Sequence, residues 1–279
     1  MIGIVLAALS GLVWGVGDFA GGKASQRVDS KTVVVLSKAA SIPLLLLFLV
    51  LMPAAPHAGA LGWGAAAGAL GMVGMMVFYR AMAGGAMTIV APVSAVTTAL
   101  LPVAAGLLSG ERPGGLALAG AGCAIVAIGL VSLAPGGDAR LSVRLLGMAL
   151  GAGVAFGLFF ICLSAASDAA GGAAGMWPVL GAQVTAVVLG APLLRGRGAA
   201  RPSGTPLRWL LAAGMLDMSA NALYVLAVQR GDLSIIAPVA SLYPVSTVLL
   251  AMLVDRERLR PVQLAGLGLA ATALVLVAS

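Results

Sequence analysis

The segment SIIAPVASLYP, residues 234–244, repeats a pattern that the chain carries once before, as TIVAPVSAVTT at residues 88–98. Pro92 and Pro238 lie 146 residues apart, and the same shift continues to match the two sequences up to the carboxyl terminus. Weaker agreement links VWG at residues 13–15 with AFG at residues 155–157. These matches predict that the chain consists of two related halves in tandem.

The composition is that of a protein embedded in lipid. Of the 279 residues, 61% are hydrophobic and 9% are charged, and the mean hydropathy is +1.10. A soluble domain carries roughly a quarter of charged residues. Apolar stretches recur at the length that crosses ~30 Å of hydrocarbon. We therefore predict an all-α polytopic membrane protein with the lipid bilayer as its first partner. The net charge of +7 comes from loop cations and predicts no nucleic-acid binding.

Apolar windows between glycine, proline and charge clusters predict ten transmembrane helices. The first is interpreted as a span and not as a secretory signal, because it lacks a basic amino-terminal region. Early prolines cost little in a helix, whereas Pro102 and Pro244 lie deeper and are predicted to kink their spans. The predicted spans are 2–24, 31–52, 60–82, 87–108, 114–134, 143–166, 174–194, 206–228, 233–254 and 261–278.

Each half holds five of these spans, at residues 1–136 and 142–279. Because five is odd, the two halves enter the membrane from opposite sides and form an inverted repeat. Inverted repeats are typical of secondary transporters, in which two bundles rock around a central site and open it to each side in turn. The organisation therefore predicts alternating access. Glycines spaced by four, such as Gly64/Gly68, Gly147/Gly151 and Gly153/Gly157, predict close helix packing.

Four features of the sequence are typical of one transporter family: LVWGVGDFAGG at residues 12–22, the two APV cores, Tyr243-Pro244, and the Glu-Arg segments that precede spans 5 and 10. They give the chain, over nearly its whole length, a resemblance to the EamA branch of the drug/metabolite transporter superfamily. It implies two five-helix EamA repeats and secondary transport, such as efflux, of a small organic metabolite across the cytoplasmic membrane. Amino acids, amines, vitamins and drug-like compounds are substrates that the resemblance allows. Proton coupling and exchange both remain open, as do a monomer and a homodimer.

Two ionisable residues lie at similar depth in neighbouring spans. Asp18 and Lys38 are each about seven residues from the first loop, which puts both ~10 Å below one surface at 1.5 Å per residue. We expect them to form an ion pair that lowers the cost of burying either charge. The pair is interpreted either as structural or as a handle in which Lys38 binds an anionic substrate group after release from Asp18.

A third ionisable residue, Asp217, lies near the middle of span 8, with Asn221 and Tyr224 following at one-turn intervals. A lone carboxyl group in apolar surroundings would suit proton coupling or a cationic substrate, and a hydrogen-bonded structural carboxyl is the alternative. Aromatic rings and amides at this level predict a cavity that also suits a flat or cationic substrate. The predicted substrate-binding residues are Trp14, Asp18, Lys38, Tyr79, Gln183, Asp217, Asn221, Tyr224 and Tyr243.

Glu111 and Glu257 precede spans 5 and 10, where an acidic residue complements the helix dipole, so both are assigned structural roles. An Asp-dependent membrane enzyme and a sensor or assembly factor are the alternatives to a transporter. The single histidine, His57, lies in a loop, and it gives neither a zinc site nor a Ser-His pair at depth. No cofactor, metal or catalytic residue is predicted.

The orientation in the membrane is predicted in two opposite ways. The even-numbered loops carry only two basic residues, Arg112 and Arg230, while the odd-numbered loops carry most of the others. By the positive-inside rule the odd-numbered loops are cytoplasmic and both termini are external. The family resemblance implies that both termini are internal. A reporter fused to the carboxyl terminus distinguishes the two.

Overall fold

The computed structural model describes residues 1–25, 27–82, 87–131, 143–195, 202–254 and 260–278, and their regular structure is helical. A short 3₁₀ turn, Ala191–Arg195, follows α8. The helices are α1 (Ile2–Ser25), α2 (Ser30–Ala40), α3 (Ile42–Leu51), α4 (Ala58–Met82), α5 (Met87–Leu108), α6 (Gly115–Val131), α7 (Val143–Ala169), α8 (Trp177–Gly190), α9 (Gly204–Val228), α10 (Leu233–Ala240), α11 (Tyr243–Val254) and α12 (Pro261–Ala278).

The predicted ten-span architecture is confirmed. Spans 2 and 9 are each divided into two helices, α2 with α3 and α10 with α11. Span 7 is α8 followed by the 3₁₀ turn, and the other spans are single helices over the described residues. By length and composition, six of the described spans are long and apolar enough to cross a membrane, and four further apolar stretches are shorter over the described residues. The chain is therefore an all-α multi-pass membrane protein.

Proline sets both helix breaks. In span 2, Pro43 lies in the first turn of α3, directly after Ser41 ends α2. This break was not predicted. In span 9, α10 ends at Ala240 and Pro244 is the second residue of α11, so the predicted kink at Pro244 is confirmed. Pro238 lies inside α10 beyond its first turn, whereas α5 continues through Pro102 without interruption.

Helix packing follows the inverted repeat. Span 1 packs against span 8 as α1 against α9, and span 3 packs against span 6 as α4 against α7. Exchanging the two halves converts one pair into the other. Spans 5 and 10, which are α6 and α12, pack against each other. The contacts of one five-helix repeat thus have counterparts when the two repeats are exchanged, as an inverted repeat predicts.

Close backbone contacts at glycine repeat this symmetry. A Cβ atom added to Gly11 would lie 2.7 Å from the carbonyl oxygen of Ala240, and one added to Gly153 would lie 2.7 Å from that of Ser94. The two contacts are counterparts, because the sequence repeat aligns Gly11 with Gly153 and Ala240 with Ser94. Because only glycine lacks a Cβ, both residues let two helix backbones approach each other.

A second symmetric pair of contacts involves Gly68 against the carbonyl of Ala182 and Gly214 against the carbonyl of Ser37. A Cβ on either glycine would overlap that carbonyl group. Gly64 makes a similar contact with Pro178, so the predicted Gly64/Gly68 spacing marks a packed face.

The glycines at Gly147 and Gly151 do not mark a packed face. A Cβ on either residue would meet nothing within 4 Å, so the prediction of close packing at that pair is wrong.

Glu111 joins the two halves. Its carboxylate accepts hydrogen bonds from the backbone N–H groups of Leu233 at 2.8 Å and Ser234 at 2.9 Å, the first two residues of α10. These N–H groups have no partner within their own helix, so Glu111 caps α10. The structural role predicted for Glu111 holds, but the helix it caps belongs to span 9 and not to span 5. Glu257 lies outside the described residues.

Replacing Glu111 by Ala is expected to lower the free energy of unfolding by about 2 kcal/mol, because two charge-assisted hydrogen bonds to α10 are lost. Thermal unfolding of the purified protein in detergent measures the change. Asp168→Ala is the control, since Asp168 is an exposed carboxylate that experiences the charge of Glu111 as a repulsion. An equal loss in both variants would contradict the capping role.

Candidate functional site

A cavity of about 120 Å³ lies between the two halves, with room for several water molecules. Several of its lining residues lie near the middle of their spans, and Phe156 is the central residue of α7. Both halves contribute to the wall. Together with the two broken spans, this position matches the central binding sites of transporters built from inverted repeats.

Seven of the nine predicted site residues line this cavity, namely Trp14, Asp18, Lys38, Gln183, Asp217, Asn221 and Tyr243. Tyr224 does not. Its side chain is fully buried behind the wall, where its ring stacks on Phe160 with centroids 4.5 Å apart. The side chain of Tyr79 lies outside the described part of the chain, and its assignment stays a prediction.

An ion pair crosses the cavity region between the halves. Lys38 Nζ on α2 lies 2.6 Å from Asp217 Oδ2 on α9. The prediction that Lys38 pairs with Asp18 is therefore wrong, as is the prediction of Asp217 as a lone carboxyl. The depth of a residue along its helix does not determine which neighbouring helix its side chain faces. Helix α2 packs more extensively on α9 than on α1, and Lys38 turns toward α9.

Gln183 fixes the backbone beside this ion pair. Its Nε2 donates hydrogen bonds to the carbonyl oxygen of Lys38 and to Ser41 Oγ. Ser41 Oγ in turn donates to the same Lys38 carbonyl at 2.8 Å. The amide of Gln183, which belongs to the second half, thus holds the point in the first half where α2 gives way to α3. These contacts fix the position from which Lys38 reaches Asp217.

Asn221 is tied to the helix that carries Asp217, because its Nδ2 donates to the Asp217 carbonyl at 2.7 Å. The Asn221 side chain is buried, and its Nδ2 group is held by the hydrogen bond to the backbone of α9. Asn221 is therefore part of the cavity wall at the foot of the ion pair.

Asp18 is the third charged residue of the cavity. Its side chain is exposed and lines the open space of the cavity. It also lines a smaller cavity of about 30 Å³ that extends toward the connection between α1 and α2, where Gly21 and Val33 lie. Asp18 lies close enough to Lys38 and Asp217 to interact with both electrostatically.

The aromatic wall of the cavity was largely missed by sequence analysis. Phe78, Phe156, Phe159 and Phe160 all line it. Phe78 packs edge-on against Phe156 with centroids 6.0 Å apart, and Trp14 packs against Phe160 at 5.3 Å. A signal was present, since the match of VWG with AFG makes Phe156 the counterpart of Trp14.

The comparisons with known proteins agree with this architecture. The model of the EamA-like transporter family matches residues 1–133 and 144–279. A solved structure titled "Crystal structure of protein" is similar over 99% of this chain and 98% of its own, with a TM-score of 0.81 and 14% sequence identity; at that identity the likeness shows the fold alone. No curated protein matches the sequence. With its family match extending over both repeats, the chain belongs to the EamA-like transporter family of the drug/metabolite transporter superfamily.

Proposed function

We propose that the protein is a secondary active transporter that moves a small organic metabolite across the cytoplasmic membrane by alternating access. The observation that carries the proposal is the cavity between the two inverted halves, with the Lys38–Asp217 ion pair joining them. Family membership supports transport in general. The charged groups in the cavity support a polar or charged substrate, because unliganded charges at this depth are costly.

The position of the Lys38–Asp217 ion pair suits a contact that changes as the transporter opens to one side of the membrane or the other. Lys38 lies three residues before the break at Ser41, and Tyr243 begins the helix after the break in span 9. Short helical segments that meet at a break can turn relative to each other with few lost hydrogen bonds. A charged substrate bound beside the pair would change the strength of the link between the halves, and its binding would thereby favour rocking. Coupling to protons and exchange of two substrates are both compatible with this scheme.

Counterflow into proteoliposomes tests the proposal. Compounds that raise the melting temperature in a panel of amino acids, amines and vitamins are loaded inside, and uptake of the labelled compound is measured. We expect saturable uptake that is accelerated by the internal load. Asp217→Asn should reduce this uptake by about tenfold or more, because it leaves Lys38 unpaired at the cavity.

The control is Asp168→Asn, which removes an exposed carboxylate remote from the cavity lining and should keep the wild-type rate. Flux that grows linearly with concentration and shows no acceleration by the internal load would indicate a channel. Full counterflow by Asp217→Asn with unchanged pH dependence would contradict the role of the ion pair in transport.

A further inference from the structure

The charges of the cavity do not balance. Among the described residues that line it, Asp18, Lys38 and Asp217 are the charged ones. Lys38 and Asp217 neutralise each other at 2.6 Å. Asp18 has no ion-pair partner in the part of the chain that the structure describes, and its side chain faces the cavity space. With its carboxylate ionised, the described residues that line the cavity carry a net charge of −1.

The surroundings of Asp18 are aromatic and apolar. Trp14 lies one turn before it on α1 and lines the same cavity, as does Tyr243. The cavity lining also includes the phenylalanines of α7 together with Met72 and Met75 of α4. Aromatic faces attract cations, and a wall of rings and thioethers favours an apolar body with an adaptable fit. A ligand that places a positive charge at Asp18 would therefore also contact apolar surface.

We propose that the cavity binds a monocationic organic amine, with the ammonium group at Asp18 and the apolar body against the aromatic wall. This inference rests on the proposed transport function and names its substrate class. A single positive charge brings the cavity to neutrality, whereas a zwitterion leaves the charge at −1 and an anion makes it −2. An unbalanced charge at this depth in a membrane protein is costly, so ligand charge is the main determinant of selectivity.

The role of Asp18 differs from that of Asp217. A cation at Asp217 would have to displace Lys38 from a contact of 2.6 Å, and the ammonium group of Lys38 would then lose its partner. A cation at Asp18 leaves the contact between Lys38 and Asp217 in place. The geometry thus assigns ligand binding to the carboxylate on α1 and the link between the halves to the carboxylate on α9.

Three probes that share one phenyl ring test the inference. Phenylethylammonium is a monocation, phenylalanine is a zwitterion with one added carboxylate, and 3-phenylpropanoate is an anion without the amine. Binding to the purified full-length protein is measured by titration calorimetry at about pH 8.5, where the carboxylate is ionised and the ammonium group of the probe is still protonated. We expect phenylethylammonium to bind about tenfold or more tightly than phenylalanine, and 3-phenylpropanoate to bind most weakly.

Two variants of Asp18 test the role of its carboxylate. Asp18→Asn is expected to weaken phenylethylammonium binding by about tenfold or more, and Asp18→Glu should recover part of that loss. Asp168→Asn, which removes an exposed carboxylate outside the cavity lining, is the control and should bind the probe within about threefold of wild type. Melting temperatures and gel-filtration profiles confirm that each variant is folded before binding is measured.

The inference is overturned if phenylethylammonium fails to bind, if phenylalanine binds as tightly, or if folded Asp18→Asn binds the amine like wild type. Experiment can distinguish failure of this inference from failure of the transport proposal. Counterflow of phenylalanine without counterflow of the amine would sustain transport and overturn the cation site. Asp18-dependent binding of an amine that proteoliposomes never move would sustain the site and contradict transport.

Discussion

Replacing Lys38 by Met is expected to lower the free energy of unfolding by about 2 to 3 kcal/mol, because the variant leaves the carboxylate of Asp217 without its partner inside the protein. The side chains of Lys38 and Asp217 are 14% and 25% exposed. Cavity water therefore reaches the orphaned charge and keeps the loss near the lower end of what breaking a buried pair costs. Asp217→Asn should produce a loss of similar size, since it leaves the ammonium group of Lys38 unpaired.

The double variant Lys38→Met with Asp217→Asn distinguishes an ion pair from two independent sites. If the charges stabilise each other, removing both should recover most of the stability that either single variant loses, because no unpaired charge remains. Transport should not recover with stability, since the link that opens and closes between the halves is absent. Chemical or thermal unfolding in detergent and counterflow in proteoliposomes measure the two properties separately.

Additive losses in the double variant would contradict the pairing. Methionine is a fair replacement for Lys38 because it keeps most of the length of the lysine stem without its charge, and asparagine keeps the shape of the Asp217 carboxylate. A double variant that is both stable and fully active would show that the pair contributes to neither rocking nor substrate release.

The repeat and the ten spans could be predicted from sequence because both depend on patterns along the chain. Apolar length determines a span, and the odd number of spans in each half determines the inversion. The partner of Lys38 could not be predicted in this way. Asp18 and Asp217 both reach the cavity, and the choice between them depends on how α2 is rotated against its neighbours, which periodicity alone does not determine.

The contacts that cross between the halves were the least predictable. Glu111 caps α10 of the other half, and Gln183 binds the backbone at Lys38, although both partners are far away in sequence. In each case the residue type was informative, because an acid at a helix start and an amide in an apolar span both need partners. The repeat shows which positions of the two halves correspond, but it does not determine which helices pack against each other.

Tyr224 shows why a helical face is an incomplete guide to a cavity. It follows Asn221 by one turn on α9, so the sequence grouped the two. The helix continues past the end of the cavity, and at Tyr224 the same face meets α7, where the hydroxyl group lies 3.5 Å from the carbonyl of Phe160. Tyr224 therefore supports Phe160 and Trp14 from behind, and the rings that it supports form the wall.

The largest loss of stability is expected from adding a single methyl group at the symmetric helix contacts. In Gly68→Ala the new Cβ would overlap the carbonyl of Ala182, and in Gly214→Ala it would overlap that of Ser37. The obstacle in both cases is backbone, which cannot move aside by a change of rotamer. The helices must separate, and the packing on both sides of the cavity is disturbed. We expect a loss of about 3 kcal/mol or more in each variant.

Gly147→Ala and Gly151→Ala are the matched controls, because a Cβ at either position on α7 would meet nothing within 4 Å. Alanine is a better helix former than glycine by about 0.5–1 kcal/mol, so these variants should be as stable as wild type or slightly more stable. The same chemical change thus has opposite expected signs, and helix propensity cannot account for a loss at Gly68 or Gly214. Thermal unfolding in detergent measures all four variants. Wild-type stability for Gly68→Ala and Gly214→Ala would show that α4 with α8, and α2 with α9, do not approach as closely as the fold requires.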